Sequence, residues 1–204
     1  MGFVKGSATM TRYKITEEPS EGLTDEFIAE RLLQNAFVDI ENSSEESSLG
    51  WVEFFDHLST GFPAESWRFG QIIGFNLRLD ERKLSNRILN RYYAIAEANL
   101  TKETGKKPNT TKRRQLKEAL RADLLRRSLL DTKLIGLLWL PENQELWIDS
   151  AGDKNRALFE ELWSRTFGLN IKLLVPVSMG LSILAESQKE QLLRLTSVPF
   201  FEGE

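Results

Sequence analysis

"LSNRILNRYYAIAEANLTKETGKKPNTTKRRQLKEALRADLLRRSLL", residues 84–130, is the stretch of the chain that decides the fold. Apolar residues recur in its first half at the spacing of one face of an α-helix: Leu84, Ile88, Tyr92 and Ile95. This spacing predicts a helix that runs to about Lys102 and turns that face, with Tyr92, toward the core.

A turn and a second helix follow in the same stretch. Gly105 suits the residue just after a helix, and Pro108 cannot continue one because it has no backbone N–H. Thr110 or Thr111 can cap a second helix, which we expect to run to about Leu130. The stretch therefore predicts an αα-hairpin, two antiparallel helices joined by a short turn.

Charge is distributed unevenly along the chain. The 204 residues have a formal net charge of −3, yet residues 71–133 carry 16 Lys and Arg against 7 Asp and Glu. Residues 1–70 carry 5 against 13, and residues 134–204 carry 6 against 10. Such segregation indicates a polyanionic partner more strongly than the overall isoelectric point does.

The basic residues of the hairpin favour phosphate binding. A face kept basic for solubility usually mixes both signs of charge, but acidic residues are scarce here. Lys and Arg on a hairpin can follow a phosphate backbone without reading bases, so we expect sequence-independent binding of double-stranded DNA. The candidate DNA-binding residues are Arg87, Arg91, Lys106, Lys107, Lys112, Arg113, Arg114, Lys117 and Arg121, of which Arg114, Lys117 and Arg121 share one helix face. Tyr92 and Tyr93 lie nearby and can stack on bases, although Tyr92 continues the apolar row.

Strands and helices alternate outside the hairpin. Strands are predicted at Ser7–Ile15, Arg68–Leu79, 134–140, 144–149 and 170–178, with short extended pieces at 37–40 and from Gly50. Helices are predicted from the cap Thr24 to about Ala36, and from Asp153 or Asn155 to Phe167 before Gly168. The fold class is α+β: two β-α-β-like halves form a mixed or antiparallel sheet body, from which the basic hairpin projects. We expect residues 1–83 and 131–204 to form one domain, with 84–130 inserted; the pattern assigns no role to 185–204.

Composition excludes several classes of function. The chain has no cysteine, so disulfides, thiol catalysis and cysteine-based zinc sites are excluded. The N-terminus lacks the apolar segment of a secretory signal, and the longest apolar run, 134–140, is too short to span a membrane. We therefore expect a soluble cytoplasmic protein with no membrane partner. "TGKK" is not a phosphate-binding loop, because Leu100 and Lys107 stand where that motif needs Gly and Ser or Thr, and no cofactor is expected.

Catalytic candidates are few. His57 is the single histidine, and with Glu53 and Asp56 it can form a site for a hard metal ion, but a lone His beside an acid is usually structural, so no metal is assigned. Asp56 with Glu81-x-Lys83 fits the short pattern of metal-dependent nucleases, which gives a Mg²⁺-dependent nuclease or exonuclease as one alternative. A protein-interaction module that grips an acidic partner through the hairpin is another.

The chain resembles the recombination-associated protein RdgC family of bacteria over roughly residues 5–180. The anchors, in order, are "TRYKI" at 11–15, "LLQNAF" at 32–37, "GWV" at 50–52, the hairpin with its "LLRRSL" ending, "WID" at 147–149 and "LLVPVS" at 173–178. The hairpin is the most specific of them. The family usually has Pro in "LLPRAF" where this chain has Arg126, so the end of the second helix is expected to differ.

The resemblance implies a non-enzymatic, sequence-independent binder of duplex DNA that modulates recombination and acts with recombinase-pathway proteins at the nucleoid. Family members form a ring-shaped homodimer whose positive inner surface surrounds DNA. By position, Arg113, Arg114, Lys117 and Arg121 match the family's basic helix, and Lys106 and Lys107 match its basic turn. Some descriptions of the family name an exonuclease, for which this sequence offers no recognisable catalytic residues. The resemblance is to a short form, because family members continue beyond the position of Glu204, so an open dimer or a monomer on DNA is an alternative to a closed ring.

Overall fold

A seven-stranded antiparallel sheet forms the body of the protein. The computed structural model describes residues 3, 9–17, 22–43 and 45–194. The strands are β1 (Thr11–Ile15), β2 (Ser47–Glu53), β3 (Arg68–Phe69), β4 (Ile72–Arg82), β5 (Leu130–Leu140), β6 (Glu145–Ile148) and β7 (Ile171–Leu173). They lie in the order β2-β4-β5-β6-β1-β7, and β3 pairs with β4. The predicted α+β class is confirmed.

Helices cover one face of this sheet and extend from it. They are α1 (Asp25–Gln34), α2 (Ala64–Trp67), α3 (Asn86–Thr104), α4 (Thr110–Arg126), α5 (Asp153–Phe167), α6 (Pro176–Ile183) and α7 (Glu186–Leu193). Alternate residues of β4 point into the core, which they share with α1 and α5: Ile73, Phe75, Leu77 and Leu79. None of the helices in the described ranges combines the length and apolar character that crossing a bilayer requires.

One buried hydrogen bond joins the sheet to α5. The indole Nε1 of Trp51 donates to Oγ1 of Thr166 at 2.7 Å, and both residues are almost fully buried. The Thr166 hydroxyl in turn donates to the carbonyl of Leu162 at 2.7 Å, so it satisfies both partners. A buried donor left without an acceptor is costly, and the Thr166 hydroxyl prevents that cost here.

We expect Thr166→Val to lower the free energy of unfolding by about 1–3 kcal/mol, because valine keeps the shape but leaves the Trp51 indole N–H unsatisfied. Urea unfolding followed by tryptophan fluorescence measures the change. Thr111→Val, at an exposed position on α4, is the control and should cost less than about 0.5–1 kcal/mol. Equal effects of the two substitutions would contradict the account.

The hairpin leaves the body at the end of the β4–β5 strand pair. These strands are paired from Ile73↔Trp139 to Arg82↔Leu130, and α3 and α4 lie between them in the sequence. Most of the hairpin is far from the core, since α3 has one buried residue, Leu89, and α4 has one, Leu125. The two helices therefore project from the sheet and pack mainly on each other.

Helix ends follow the predicted signals in most places. Thr24 caps α1, and Gly168 ends α5 with a φ of 64°. Gly105 ends α3 with a φ of 69°, a left-handed conformation that glycine adopts without strain. The predicted cap of α4 is wrong, because Asn109 rather than a threonine accepts the N–H of Lys112, at 2.9 Å. Helix α4 also ends at Arg126 rather than near Leu130, where β5 begins.

The apolar row predicted to turn toward the core lies on the surface. Ile88, Tyr92 and Ile95 are each almost half exposed, at 46–49 %. The row that faces α4 is offset from it by about one residue and consists of Leu89, Tyr93, Ala96 and Leu100, which are buried or half-buried. Helix α3 thus has two apolar rows. Because the hairpin projects from the sheet, only the row with Tyr93 is covered by described residues, those of α4.

Three predicted strands differ from the structure, and one of them, Arg68–Leu79, is divided into β3 and β4 by a turn at Gly70. The segment 37–40 is not a strand; the nearest pairing is a single bridge between Ala36 and Trp51. The strand predicted at 170–178 is β7, which ends at Leu173, and α6 then begins at Pro176, where the fixed φ of proline suits the first helical position. Residues 7 and 8 of the first predicted strand lie outside the described residues, as do 195–204.

Candidate nucleic-acid interface

Helix α4 carries a row of exposed cations along one face. Arg114, Lys117 and Arg121 lie within about 60° of one another at about 100° per residue, and all three are exposed. We call these residues the α4 stripe. Leu116 and Leu120, on the side that faces α3, are half-buried and hold the helix in place. The α4 stripe therefore lies along the flank of α4, roughly 110° from Leu116 and Leu120 at about 100° per residue.

The turn at the tip of the hairpin continues the positive charge. Lys106, Lys107 and Lys112 are exposed, and Pro108 between them is buried. The buried proline and the Asn109 cap fix the turn, so the tip presents its lysines from an ordered backbone.

Three of the predicted cations have carboxylate partners. Arg113 Nε lies 2.9 Å from Oε1 of Glu97 on α3, Arg114 Nε lies 3.8 Å from Glu118, and Arg121 Nη2 lies 3.8 Å from Glu46 of the loop before β2. The Arg114 and Arg121 pairs are more than 60 % exposed on both sides, so solvent screens them and a competing anion can replace them. Within the described residues, no carboxylate oxygen lies within 4.0 Å of the other six predicted cations: Arg87, Arg91, Lys106, Lys107, Lys112 and Lys117.

Arg113 is exposed, and its guanidinium pairs with a carboxylate of the other hairpin helix. Its partner Glu97 receives no well-aligned hydrogen bond at Oε1, so the contact is an ion pair across the two helices. Tyr93 lies beside them: removal of its hydroxyl from water raises its pKa, and the charge of Glu97 raises it further. Arg113, Glu97 and Tyr93 therefore join α3 to α4.

Arg87 and Arg91 form a separate basic group on α3. At about 100° per residue they point roughly 170° away from the row that packs on α4. They therefore face away from α4, and the structure does not bring them together with the α4 stripe. The exposed row with Tyr92 lies next to them, so this ring is accessible for stacking, contrary to its predicted place in the core.

Strand pairing places two of the acidic residues considered for catalysis, Glu53 and Glu81, apart on the sheet. Ser47 pairs with Glu81, and Glu53, three residues before Asp56, pairs with Phe75. Six residues of β4, roughly 20 Å at about 3.3 Å per residue, thus separate the strand positions of Glu53 and Glu81, whereas a shared metal ion needs oxygens within about 2–2.6 Å of it.

Other contacts engage the same side chains. Glu81 lies 3.7 Å from Lys83 and 3.5 Å from Lys154, and Lys83 also contacts Asp131. The hydrogen bond to Asp131 raises the pKa of Lys83, which keeps its ammonium charged. Glu53 accepts from Ser59 at 2.6 Å and from the Phe62 N–H at 3.1 Å, so it organises the loop after β2. In the described part of the chain, no three His, Asp or Glu side chains form a group that could hold a metal ion.

Arg82 is a residue that the sequence pattern did not single out. It ends β4 inside "LDERK", where it looks like one more surface charge, but it is 8 % exposed and lies at the joint between sheet and hairpin. Its position directly before the hairpin is the signal in the sequence that could have identified it.

Comparison with known families assigns the chain. The model of the family described as "Putative exonuclease, RdgC" matches residues 9–185. The match includes all seven strands and the complete hairpin. A comparison with curated proteins found no match. Because the family match covers most of the 204 residues, the chain belongs to the RdgC family.

Proposed function

We propose that this protein binds double-stranded DNA without sequence preference, through the α4 stripe and the lysines of the hairpin tip, in DNA recombination. The observation that carries the proposal is an exposed row of cations on a projecting helix, few of which have firm partners within the chain. A cation that is not paired within the protein is free to neutralise a phosphate.

Counterion release supplies the driving force. Each phosphate neutralised on duplex DNA releases condensed cations, and affinity then falls with salt at a log–log slope of about −0.9 per contact. The weak pairs of Arg114 and Arg121 are exchanged for phosphates at little cost, because both are solvent-exposed. Three contacts by the α4 stripe and further ones by the tip give substantial affinity at low salt.

Binding should be indifferent to base sequence. The α4 stripe consists of Lys and Arg, which can follow a phosphate backbone without reading bases, and Gln115 is the one amide side chain within α4. Fluorescence anisotropy with duplexes of equal length and unrelated sequence tests this directly. We expect dissociation constants within a factor of about three of one another. A strong preference for one sequence would contradict sequence independence, and no binding at low salt would favour an acidic protein as the partner.

Removing an acidic residue next to the α4 stripe should strengthen binding. Glu118 pairs with Arg114 and repels phosphates, so we expect Glu118→Gln to raise the affinity for duplex DNA about three- to tenfold at low salt. Glu142→Gln, an exposed change on the body, is the matched control and should leave affinity unchanged. Equal affinities of Glu118→Gln and the unmodified chain would argue against contact near Arg114.

An exonuclease is the second candidate, because the description of the family names one. We propose a binding protein instead, since Glu81 and Lys83 are engaged in the ion pairs with Asp131 and Lys154 described above. End-labelled linear duplex incubated with Mg²⁺ or Mn²⁺ decides between them. The proposal expects full-length DNA to persist, and progressive shortening that needs the metal would support the exonuclease.

We also propose that the protein acts as a homodimer on DNA. The acidic body and the basic hairpin are complementary in charge, which favours contacts between the hairpin of one copy and the body of another. Light scattering after size-exclusion chromatography should give the mass of a dimer. A monomer mass both with and without DNA would contradict this part of the proposal.

A further inference from the structure

The Arg82 side chain lies where the hairpin joins the sheet and is enclosed by backbone. Among the described residues its guanidinium contacts main-chain carbonyls and no carboxylate. Nε donates to Glu45 O at 3.2 Å, Nη1 donates to Arg126 O at 3.3 Å and Ser128 O at 2.8 Å, and Nη2 donates to Ile40 O at 2.9 Å, Glu41 O at 2.8 Å and Ser43 O at 3.4 Å. All five N–H groups of the side chain are thus placed to donate.

These carbonyls belong to two separate segments. One comprises Ile40, Glu41, Ser43 and Glu45, which precede β2 on the body, and the other is 126–128, at the end of α4. The guanidinium of Arg82 therefore joins the end of α4 to the body. The backbone of Arg82 ends β4, just before the hairpin begins. The backbone N–H of Arg82 also donates to Glu46 O at 2.8 Å, so the main chain of Arg82 holds the residue next to the first segment.

The charge of Arg82 suits the end of α4. The last carbonyls of a helix have no partners within it and carry partial negative charge, so a cation there is stabilising. Helix α4 ends without a glycine, at Arg127 in the right-handed region. Ser128 Oγ donates to Leu125 O at 2.7 Å, and Arg82 adds donors to Arg126 O and Ser128 O at the same end of the helix.

The α4 stripe is on the helix that Arg82 holds. Arg121 of the α4 stripe also lies 3.8 Å from Glu46, the residue that follows the first of these segments. Of the two, the Arg121 pair is long and exposed, whereas the Arg82 contacts are buried and numerous. Of these two contacts, that of Arg82 constrains the end of α4 more strongly.

We propose that Arg82 is a positioning residue: it fixes the direction in which the hairpin presents the α4 stripe, without touching DNA itself. The inference rests on the proposed DNA binding. It makes a claim about the direction of the hairpin and a second claim about the affinity for duplex DNA. Lysine at this position keeps the charge, but its single ammonium group cannot reach both segments as the planar fork does.

Distances between spin labels test the direction of the hairpin. Because the chain has no cysteine, Thr111→Cys on α4 and Ser164→Cys on α5 can be labelled alone, and both positions are exposed. Double electron–electron resonance on the full-length protein should give a narrow distance distribution. We expect Arg82→Lys to broaden it, and Arg78→Lys to leave it narrow.

Arg78 is the matched control for Arg82. It is on the same strand and face, 11 % exposed, but it pairs with Asp80 at 2.7 Å and stacks over Phe37 instead of gripping the hairpin. Its replacement therefore disturbs the body without releasing α4. Broadening of equal size in both variants, or a narrow distribution in Arg82→Lys, would overturn the proposal. A failure of Arg82→Lys to fold, judged by circular dichroism, would also overturn it, because Arg82 would then be a core stabiliser.

DNA binding gives the second readout. In a folded Arg82→Lys protein we expect affinity for duplex DNA to fall about tenfold and the salt slope to lose about one unit, as when one phosphate contact is lost. If Arg82→Lys broadened the distance distribution but left the affinity for duplex DNA unchanged, the direction of the hairpin would not matter for binding, and that part of the proposal would be wrong. If the unmodified chain bound no DNA, the proposed function would fail, while the distances would still decide whether Arg82 positions the hairpin.

Discussion

Neutralising the α4 stripe is expected to weaken binding to duplex DNA by about a hundredfold or more at about 50 mM salt, since three phosphate contacts are lost. The changes are Arg114→Gln, Lys117→Gln and Arg121→Gln in one protein. Glutamine keeps a high helix propensity, so α4 should remain folded. Lost affinity then reports lost charge rather than lost structure. Fluorescence anisotropy with a labelled duplex measures it.

The control removes the same charge from the body. Lys154, Arg165 and Lys172 are exposed residues outside the hairpin, and their joint replacement by Gln changes the net charge equally. An attraction to DNA that depended only on net charge, which is −3 in the unmodified chain, would be weakened equally by both triple variants. The proposed interface predicts that the body variant loses less than about threefold. Similar losses in the two variants would contradict a binding surface on α4.

Gly50→Ala is expected to be the most destabilising single substitution considered, at about 3 kcal/mol or more. A Cβ at Gly50 would lie 2.5 Å from the backbone N and Cα of Phe37, which cannot move aside as a flexible side chain could. The segment 35–37 is held there by two hydrogen bonds, Trp51 N–H to Asn35 O at 3.0 Å and Phe37 N–H to Trp51 O at 2.9 Å. The added methyl group breaks this contact between β2 and the end of α1.

Urea unfolding of Gly50→Ala and Gly61→Ala makes the comparison. A Cβ at Gly61 meets its nearest neighbours, Glu53 and Pro63, at 3.7 and 3.9 Å, which is ordinary contact. We expect Gly61→Ala to change the free energy of unfolding by less than about 1 kcal/mol. If Gly50→Ala proved as mild as Gly61→Ala, the close approach of segment 35–37 to β2 would be wrong.

The elements of the hairpin could be predicted because their signals are local. Gly105 and Pro108 mark the turn whatever surrounds them, since they act through backbone conformation and a missing N–H. The strands of the sheet could be found in the same way, from alternation between apolar and polar residues. The α+β class follows from the order of these elements.

The exposure of Tyr92 could not be predicted from helical spacing. Periodicity shows that a row of residues shares one face of a helix. Which element covers that face depends on the tertiary structure. Helix α3 has apolar rows on two sides, and α4 covers the row that contains Tyr93. Spacing alone cannot rank the rows, because both repeat at the period of a helix.

The ion pairs of the hairpin could not be predicted from the sequence either. The sequence presents Arg113 and Lys117 as equivalent cations, but Arg113 meets Glu97 across the hairpin, and for Lys117 no such partner lies within the described residues. Arg82 is the strongest case, because its acceptors are main-chain carbonyls that no residue pattern encodes. Contacts of this kind depend on how segments distant in the sequence meet.

The salt dependence of DNA binding by the unmodified chain and by the α4-stripe variant tests the central claim most directly. Log affinity plotted against log salt gives the number of phosphates neutralised, at about 0.9 per contact. We predict that the slope of the stripe variant is shallower than that of the unmodified chain by about 2.7, the share of three contacts. Identical slopes would show that Arg114, Lys117 and Arg121 do not meet the DNA backbone, and would contradict the account.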